Sequence, residues 1–165
     1  MVIHSEAQLD QRFLAFARLL NTYLQHFPKF EKYGLALAIR QCAYDVYGLI
    51  VEGQKRYFKK TSLTQLDIRH EQLRMLVRLA HELGYFAFRA GAGQETGAAR
   101  AEHRYLTLSR HIDELGRMIG GWLREEKRKA AAPETAPPLA PPPHRAEIRS
   151  PVARGTAPGE RGEWS

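Results

Sequence analysis

Residues 35–53 read LALAIRQCAYDVYGLIVEG, and this stretch decides the fold class. Its apolar positions recur every three or four residues, the spacing of one helix face, in a stripe of Leu35, Ile39, Cys42, Val46, Leu49 and Gly53. A second apolar set lies off that stripe and consists of Tyr33, Leu37, Tyr44, Tyr47 and Val51. A helix that is apolar on two faces indicates either a thick core stripe or a second contact with another protomer.

Helical spacing continues toward both ends of this stretch. An N-terminal helix is predicted to open at Ser5, where Gln8 completes a capping box, and to end near His26 because Pro28 breaks the pattern. Its apolar positions are Phe13, Phe16, Leu20 and Leu24. The central helix is predicted to run from about Phe30 to about Phe58.

Two further helices are predicted after residue 60. The third begins at Thr61 and Ser62, and its buried side consists of Leu66, Leu73, Leu76 or Val77, Ala80, Leu83 and Ala87. A glycine-rich loop at residues 91–97 precedes a fourth helix over about residues 99–129, which buries Tyr105, Leu108, Ile112, Leu115, Ile119 and Trp122. Since no clear strand alternation occurs, we predict an all-α fold, an up-and-down four-helix bundle over residues 1–130.

The fourth helix contains a glycine pair, Gly120 and Gly121. Each glycine costs about 1 kcal/mol relative to alanine inside a helix. The pair therefore predicts either a close approach of another group to the backbone or a tolerated weakness near a frayed helix end.

The C-terminal segment has a different composition from the predicted bundle. Eight of the nine prolines lie between Pro133 and Pro158, in sequence with few aliphatic residues to bury. Such a segment cannot offset the entropy of ordering itself, so we predict a Pro/Ala-rich disordered tail over residues 131–165. The run at residues 141–143 is either a ligand for a proline-recognising domain or part of an inert tail.

The charge of the chain is confined to the predicted bundle. Residues 1–130 hold 21 Lys+Arg and 14 Asp+Glu, which gives +7, whereas residues 131–165 hold four of each. Such an excess favours polyanionic partners such as nucleic acid or an anionic membrane surface. The single cysteine, the absence of a membrane-length apolar run and the lack of a signal-peptide pattern predict a soluble cytoplasmic protein without a membrane partner.

The polar residues assemble no recognisable catalytic or metal-binding motif. His70 and His81 lie three helical turns apart, about 16 Å, which is too far to share a metal ion. Cys42 falls in the apolar stripe, where a buried structural thiol is expected. We therefore predict a non-enzyme with no catalytic residue, no metal and no cofactor.

What remains is a set of basic residues suited to phosphate contact. They are Lys55, Arg56, Lys59, Lys60, Arg74, Arg78, Arg104, Arg117 and Arg124. The interleaved rings of Tyr57, Phe58 and Tyr85 can stack on unpaired bases. The alternative is that these cations form solvated helix pairs, such as Arg74 with Glu71, which stabilise a helix by a few tenths of a kcal/mol.

Three stretches, in order on three predicted helices, resemble one family. They are the segment from Phe27 to Gly53, LRMLVRLAHELG at residues 73–84, and ELGRMIGGWL at residues 114–123. The family is the accessory variability determinant (Avd) of diversity-generating retroelements, related to four-helix-bundle proteins encoded in ribosomal-RNA intervening sequences. The resemblance covers roughly residues 10–128.

The resemblance implies a ring-shaped homopentamer of four-helix bundles without enzymatic activity. Such a protein binds the reverse transcriptase of its retroelement and template RNA, possibly DNA, in the complex that makes mutated cDNA during mutagenic retrohoming. The family's partner-binding role would fall on Arg74 and Arg78, and Arg117 matches its Gly-Arg pair. The alternatives are a four-helix-bundle protein with no reverse-transcriptase partner, and a helical adaptor that binds only protein.

Overall fold

The computed structural model describes residues 2–57, 59–88 and 97–131, with side chains from residue 8 onward within those ranges. They form α1 (Val2–Leu24), a 3-10 helix (Lys29–Tyr33), α2 (Leu35–Lys55), α3 (Lys60–Glu82) and α4 (Gly97–Ala131). No strand occurs in these ranges. The prediction of an all-α bundle is therefore confirmed for the described chain, and the predicted tail lies outside it from residue 132 onward.

The four helices pack side by side around one apolar core. Each helix contacts the next along the chain, and α1 closes the bundle against α4. The predicted stripe of α1 is buried, and so are four positions of the α2 stripe, whereas Leu35 and Leu49 are half-buried. The α4 helix contributes Leu108, Ile112, Leu115, Ile119 and Trp122. Burial of these stripes removes apolar surface from water, which is the main favourable contribution to folding.

Both apolar sets of α2 exist, but the bundle core covers the second one only in part. Ile39, Val46 and Ile50 are fully buried in the bundle. Off the stripe, the Tyr44 side chain is 69 % exposed, and Val51 also reaches the surface. A thick core stripe would have buried Tyr44. Within the described residues the second set is covered only in part, because Tyr47 stacks on Phe13 of α1 with ring centroids 5.2 Å apart while Tyr44 and Val51 stay at the surface.

Helix α2 is shorter than predicted because the residues before it form a different structure. Residues 29–33 form a 3-10 helix, and α2 begins at Leu35 rather than at Phe30. Glu31 explains the boundary because its Oε2 accepts a hydrogen bond from the backbone N–H of Leu35 at 2.7 Å and so caps α2. At the N-terminus, α1 already begins at Val2, so the predicted start at Ser5 is wrong.

The end of α3 also differs from the prediction. The helix stops at Glu82, and Gly84 adopts φ = 75°, the left-handed conformation typical of a residue that ends a helix. The chain then turns inward, so Phe86 is fully buried while Leu83 is 50 % exposed. Leu83 and Ala87 were expected on the buried side, and both are exposed because the helical register ends before them.

Close approach to a glycine backbone occurs at positions other than the predicted pair. A Cβ on Gly116 would lie 2.8 Å from Cε1 of His70, and one on Gly53 would lie 2.9 Å from Cη2 of Trp122. At Gly120 and Gly121 the nearest atoms are the flexible guanidinium nitrogens of Arg124, at 3.7 and 4.0 Å. Gly116 and Gly53 therefore allow the helices to pack closely, and the glycine pair does not serve this purpose within the described chain.

Cys42 is buried between α2 and α3, as expected for a structural thiol. Its Sγ donates to the backbone carbonyl of Arg69 at 3.4 Å. Burial raises the pKa of this thiol above its ordinary value, despite the opposing effect of the Arg69 guanidinium. A raised pKa leaves little of the reactive thiolate near neutral pH.

The segment Lys29–Lys55 is long and apolar enough to cross a membrane when only length and composition are considered, with a mean hydropathy of 1.2. It includes α2, which supplies Ile39, Val46 and Ile50 to the bundle core. The core helix of a bundle meets the same two criteria of length and composition.

Candidate nucleic-acid interface

Basic residues from two parts of the chain meet at one end of the bundle. The turn between α2 and α3 lies beside the C-terminal end of α4, and a groove of about 750 Å³ opens between them. We call it the lysine groove; it is lined by Tyr57, Lys59, Lys60, Thr64, Leu123, Glu126, Lys127, Lys129, Ala130 and Ala131. Four lysines face one glutamate here, so the groove carries a net charge of +3. Lys55 and Arg56 lie on the same turn.

Two of these lysines lie at the N-terminus of α3, where positive charge is unfavourable. Lys59 is the N-cap residue of α3 and Lys60 is its first residue, and the Lys59 side chain forms no capping hydrogen bond. Cations near a helix N-terminus oppose the helix dipole, at a cost of a few tenths to about 1 kcal/mol. Negative charge is favoured at such a position, because the backbone N–H groups and the dipole both attract it.

Ser62, the natural candidate for a cap, makes a different hydrogen bond. Its hydroxyl donates to Oε1 of Glu52 at 2.8 Å, and the Nε of Arg56 lies 2.9 Å from the same oxygen. Glu52 therefore joins the end of α2 to the start of α3 and fixes the turn that carries the lysines. Arg56, predicted as a binding residue, is an ion-pair partner of Glu52 in this arrangement.

The helix dipole favours the cations on the α4 side of the groove. Lys127, Arg128 and Lys129 lie in the last turns of α4, where cations are favourable. Lys129 pairs with Glu126 at 3.1 Å, and Arg128 pairs with Glu125 at 3.3 Å. Within the described ranges, Lys60 and Lys127 form no ion pair, so their charges are not neutralised locally.

The aromatic residues expected to stack on bases have different surroundings. The Tyr57 side chain is 90 % exposed at the groove. Tyr85 instead donates its hydroxyl hydrogen to Oε1 of Glu31 at 2.8 Å, and this bond raises the pKa of Tyr85. Tyr85 is thus a structural residue, and Phe58 lies outside the described residues.

Three of the predicted arginines converge in a second site, between α3 and α4. We call it the arginine cleft, a space of about 470 Å³ lined by Asp67, His70, Glu71, Arg74, Asp113, Gly116, Arg117, Gly120 and Arg124. Arg74 pairs with Glu71 at 3.3 Å and with Asp113 at 3.1 Å. Three arginines face three carboxylates, so the cleft has no net formal charge when His70 is neutral.

The neutral state of His70 follows from its burial. Its Nε2–H donates to the carbonyl of Ile112 at 2.8 Å, and only 2 % of the residue is exposed. Burial lowers the pKa of His70 below 6.5, an effect that the hydrogen bond to Ile112 partly opposes. His70 therefore joins α3 to α4 as a neutral imidazole near pH 7.

Arg78 and Arg104 do not belong to either site. Arg78 lies on the exposed side of α3, 3.9 Å from Glu82. Arg104 is buried, with 8 % of the residue exposed, so its expected place on the binding surface is wrong. Its Nη1 donates to the carbonyls of Phe86 and Phe88 at 2.7 and 2.6 Å, and its guanidinium lies 3.7 Å from the ring centroid of Phe88.

Arg104 is therefore the residue that holds the turn after α3. A polar loop after α3 would have suggested carbonyl acceptors for the Arg104 guanidinium. The sequence around Phe86 and Phe88 is apolar and gives no such signal. The tertiary turn at Gly84 creates the two carbonyl acceptors, and no local pattern predicts that turn.

The described surface offers charged groups suited to electrostatic binding. No group of three or more His, Cys, Asp or Glu side chains in the described ranges is placed to hold a metal ion. The lysine groove offers the cations of Lys60 and Lys127, an exposed ring and apolar lining residues, which together suit a polyanion. In the arginine cleft, which has no net formal charge, Arg74 already has two carboxylate partners.

Fold and surface together define a class of protein, a four-helix bundle with a cationic groove at one end. The chain belongs to the bAvd-like family, whose model matches residues 8–126. The resemblance to the accessory variability determinants of diversity-generating retroelements is thereby confirmed. No curated protein matches the chain, and no solved structure does.

Proposed function

We propose that this protein is a non-enzymatic accessory protein of a diversity-generating retroelement. In the cytoplasm it binds the reverse transcriptase of that retroelement together with template RNA, and it supports the mutagenic cDNA synthesis of retrohoming. Membership of the bAvd-like family supports the general role. The +3 charge of the lysine groove is the observation that supports nucleic-acid binding by this chain.

The lysine groove is a better site for the RNA backbone than the arginine cleft. Lysine ammonium groups that lack a carboxylate partner release counterions when they neutralise phosphates, which drives association. In the cleft, a phosphate would first have to displace Glu71 or Asp113 from Arg74. We therefore assign RNA binding to the groove and contact with the reverse transcriptase to Arg74, Arg117 and Arg124 of the cleft.

We further propose that the protein works as a ring, with five protomers as the family resemblance implies. Two exposed apolar faces support an assembly of copies. The α2–α3 face surrounds a groove of about 990 Å³ with Ile68, Met75 and Leu79 at the surface. The α1–α2 face presents Leu14, Tyr44 and Val51.

The charges of these two faces are complementary. Three carboxylates, Asp45, Asp67 and Glu71, and one cation, Arg69, line the α2–α3 groove. Two of these carboxylates, Asp67 and Glu71, also line the arginine cleft, where Glu71 pairs with Arg74. The charged residue lining the shallow groove of about 210 Å³ on the α1–α2 face is Arg40. When two different faces of one chain bind each other, the contact is head-to-tail and generates a ring if the rotation closes. Five chains of net charge +7 carry +35 together.

The RNA-binding assignment can be tested by a salt titration. The double variant Lys60→Ala with Lys127→Ala should bind RNA more weakly than the native chain, because two unpaired cations of the groove are lost. The slope of log affinity against log salt should become shallower by about 0.7 per lysine for a single strand. Fluorescence polarisation of labelled RNA between about 50 and about 200 mM salt measures both quantities.

Lys32→Ala is the matched control, since Lys32 is exposed at the other end of α2. The slope of this variant should match that of the native chain. A native chain that binds RNA at neither salt concentration would favour the adaptor reading instead. Equal slopes for the groove variant and the control would contradict the assignment to the groove.

The assignment of the reverse transcriptase to the cleft requires a second measurement. The double variant Arg74→Ala with Arg117→Ala should retain less of the retroelement's reverse transcriptase in a pull-down and keep the salt slope for RNA. Loss of both binding activities in this variant would place the two partners on one surface. Retention of both would remove the cleft from the proposal.

A further inference from the structure

We infer that the lysine groove selects unpaired, single-stranded nucleic acid, with one base stacked on the ring of Tyr57. This inference rests on the proposed function and specifies the form of nucleic acid that the groove binds. It depends on the position of one exposed ring relative to the surrounding cations.

Tyr57 is the most exposed large apolar side chain in the described residues, with 90 % of it open to solvent. It lies on the turn between α2 and α3, at the lining of the groove and beside Lys59 and Lys60. A ring in this position contributes little to the bundle core. It does offer a flat apolar face next to fixed positive charges, which is the arrangement found where bases stack and phosphates are neutralised together.

The rest of the groove matches the mixed character of a nucleotide. Leu123, Ala130 and Ala131 of α4 provide apolar lining, and Lys127 and Lys129 of the same helix provide charge. A volume of about 750 Å³ is within the usual range for a small-molecule site, about 300–1,000 Å³. Such a space can take up a nucleotide with its base turned inward.

A duplex could use only part of this arrangement. In a double helix the base faces are stacked on one another, so a protein surface meets mainly phosphates and sugars. The lysines would still attract a duplex, but the Tyr57 ring and the apolar lining would contribute nothing to its binding. An unpaired segment can use all three features, so the groove should favour it.

The test compares two probes of one length, an unstructured oligouridine and an RNA duplex, with the full chain. Tyr57→Ala should weaken binding of oligouridine by roughly tenfold, the loss expected for one stacked base. It should leave the salt slope and the duplex affinity unchanged, because it removes no charge. Tyr57→Phe retains the ring and should retain most of the affinity for oligouridine.

Tyr33→Ala is the matched control, because Tyr33 is also an exposed ring beside a lysine, with the Nζ of Lys32 at 5.3 Å from its centroid. It lies at the opposite end of α2, roughly 30 Å away along the helix, so its removal should have no effect. Circular dichroism and the solution mass of each variant verify that fold and assembly are retained.

The outcomes separate this inference from the function on which it rests. If Tyr57→Ala binds oligouridine as tightly as the native chain while the Lys60→Ala, Lys127→Ala variant loses affinity, stacking is refuted and RNA binding by the groove stands. Equal weakening of both probes by Tyr57→Ala would also refute strand selection. If the lysine variant itself binds normally, the proposed groove function is wrong as well.

Discussion

Individual cations of this bundle differ in role according to what their charged ends contact. The guanidinium of Arg104 is enclosed by the carbonyls of Phe86 and Phe88, whereas Arg74 has two carboxylate partners on the surface. Lys60 has no ion-pair partner within the described ranges. All three are basic residues at helix positions that the sequence alone treats alike. Their roles follow from tertiary neighbours, which spacing along one helix does not specify.

Arg104→Met should destabilise the bundle without weakening RNA binding by the folded protein. The variant keeps an apolar stem but leaves two carbonyls without their donor, so the free energy of unfolding should fall by about 2–4 kcal/mol. Denaturant unfolding measures the change. The exposed Arg110→Met serves as control and should stay within about 0.5 kcal/mol of the native chain. Equal stability of the two variants would contradict the structural role of Arg104.

His70 should make the stability of the bundle depend on pH. Its pKa in the folded chain is lowered from 6.5 by burial, so below that pH the unfolded chain binds a proton that the folded chain does not. This contribution to stability is fully present above about pH 7 and decreases as the pH falls through the folded pKa. The decrease is at most about 1.4 kcal/mol per pH unit.

The measurement compares unfolding free energies of the native chain and His70→Gln between about pH 7 and pH 5. Glutamine can still donate to the Ile112 carbonyl but does not titrate, so its pH dependence should be flatter. His103→Gln, at an exposed position of α4, should retain the native dependence. Parallel curves for native chain and His70→Gln would show that another group is responsible.

At the scale of helices, the buried stripes were predictable and the ends were not. Periodicity identified the core positions of α1, α2 and α4 because burial against neighbouring helices selects apolar residues every three or four positions. The start of α2 depends on Glu31, whose carboxylate caps the helix from four residues away. The end of α3 depends on Gly84 and on the burial of Phe86. At each of these helix ends, a specific contact is favoured over one more turn of helix. The spacing of apolar residues does not predict such contacts.

The glycines of α4 should respond to alanine with opposite signs. Gly120→Ala should stabilise the protein by up to about 1 kcal/mol, because a Cβ there meets only the mobile end of Arg124 and alanine favours the helix. Gly116→Ala should be destabilising, since its Cβ would lie 2.8 Å from the buried His70 ring. Thermal or denaturant unfolding gives the two differences. Stabilisation by both substitutions to the same extent would refute close packing at Gly116.

At the scale of the whole molecule, the sequence predicted the excess of positive charge but not its division into two sites. Lys59 and Lys127 are distant along the chain and share a groove only because α3 and α4 are antiparallel. The family resemblance assigned one role to Arg74 and Arg78, yet only Arg74 lines the cleft. Arg74 lies 3.1 Å from Asp113 of α4, whereas Arg78 lies 3.9 Å from Glu82 of its own helix.

Assembly should depend on the apolar row of the α2–α3 face. Met75 is 52 % exposed, and Met75→Glu would place a charge in a groove that already carries excess negative charge. We expect this variant to lose the oligomer while the protomer stays folded, as measured by light scattering and circular dichroism. Leu106→Glu, an equally drastic change at an exposed leucine of α4, should assemble normally. An unchanged solution mass for Met75→Glu would exclude this face from the assembly.

The burial of Cys42 has a practical consequence for site-specific labelling. It is the only cysteine of the chain, and its raised pKa makes it a slow target for maleimides and other thiol reagents. A single cysteine introduced at exposed Lys32 would therefore react selectively in the otherwise native sequence. A fluorophore at that position would report on tumbling and complex size from the end of α2 opposite the lysine groove, without occupying the groove itself.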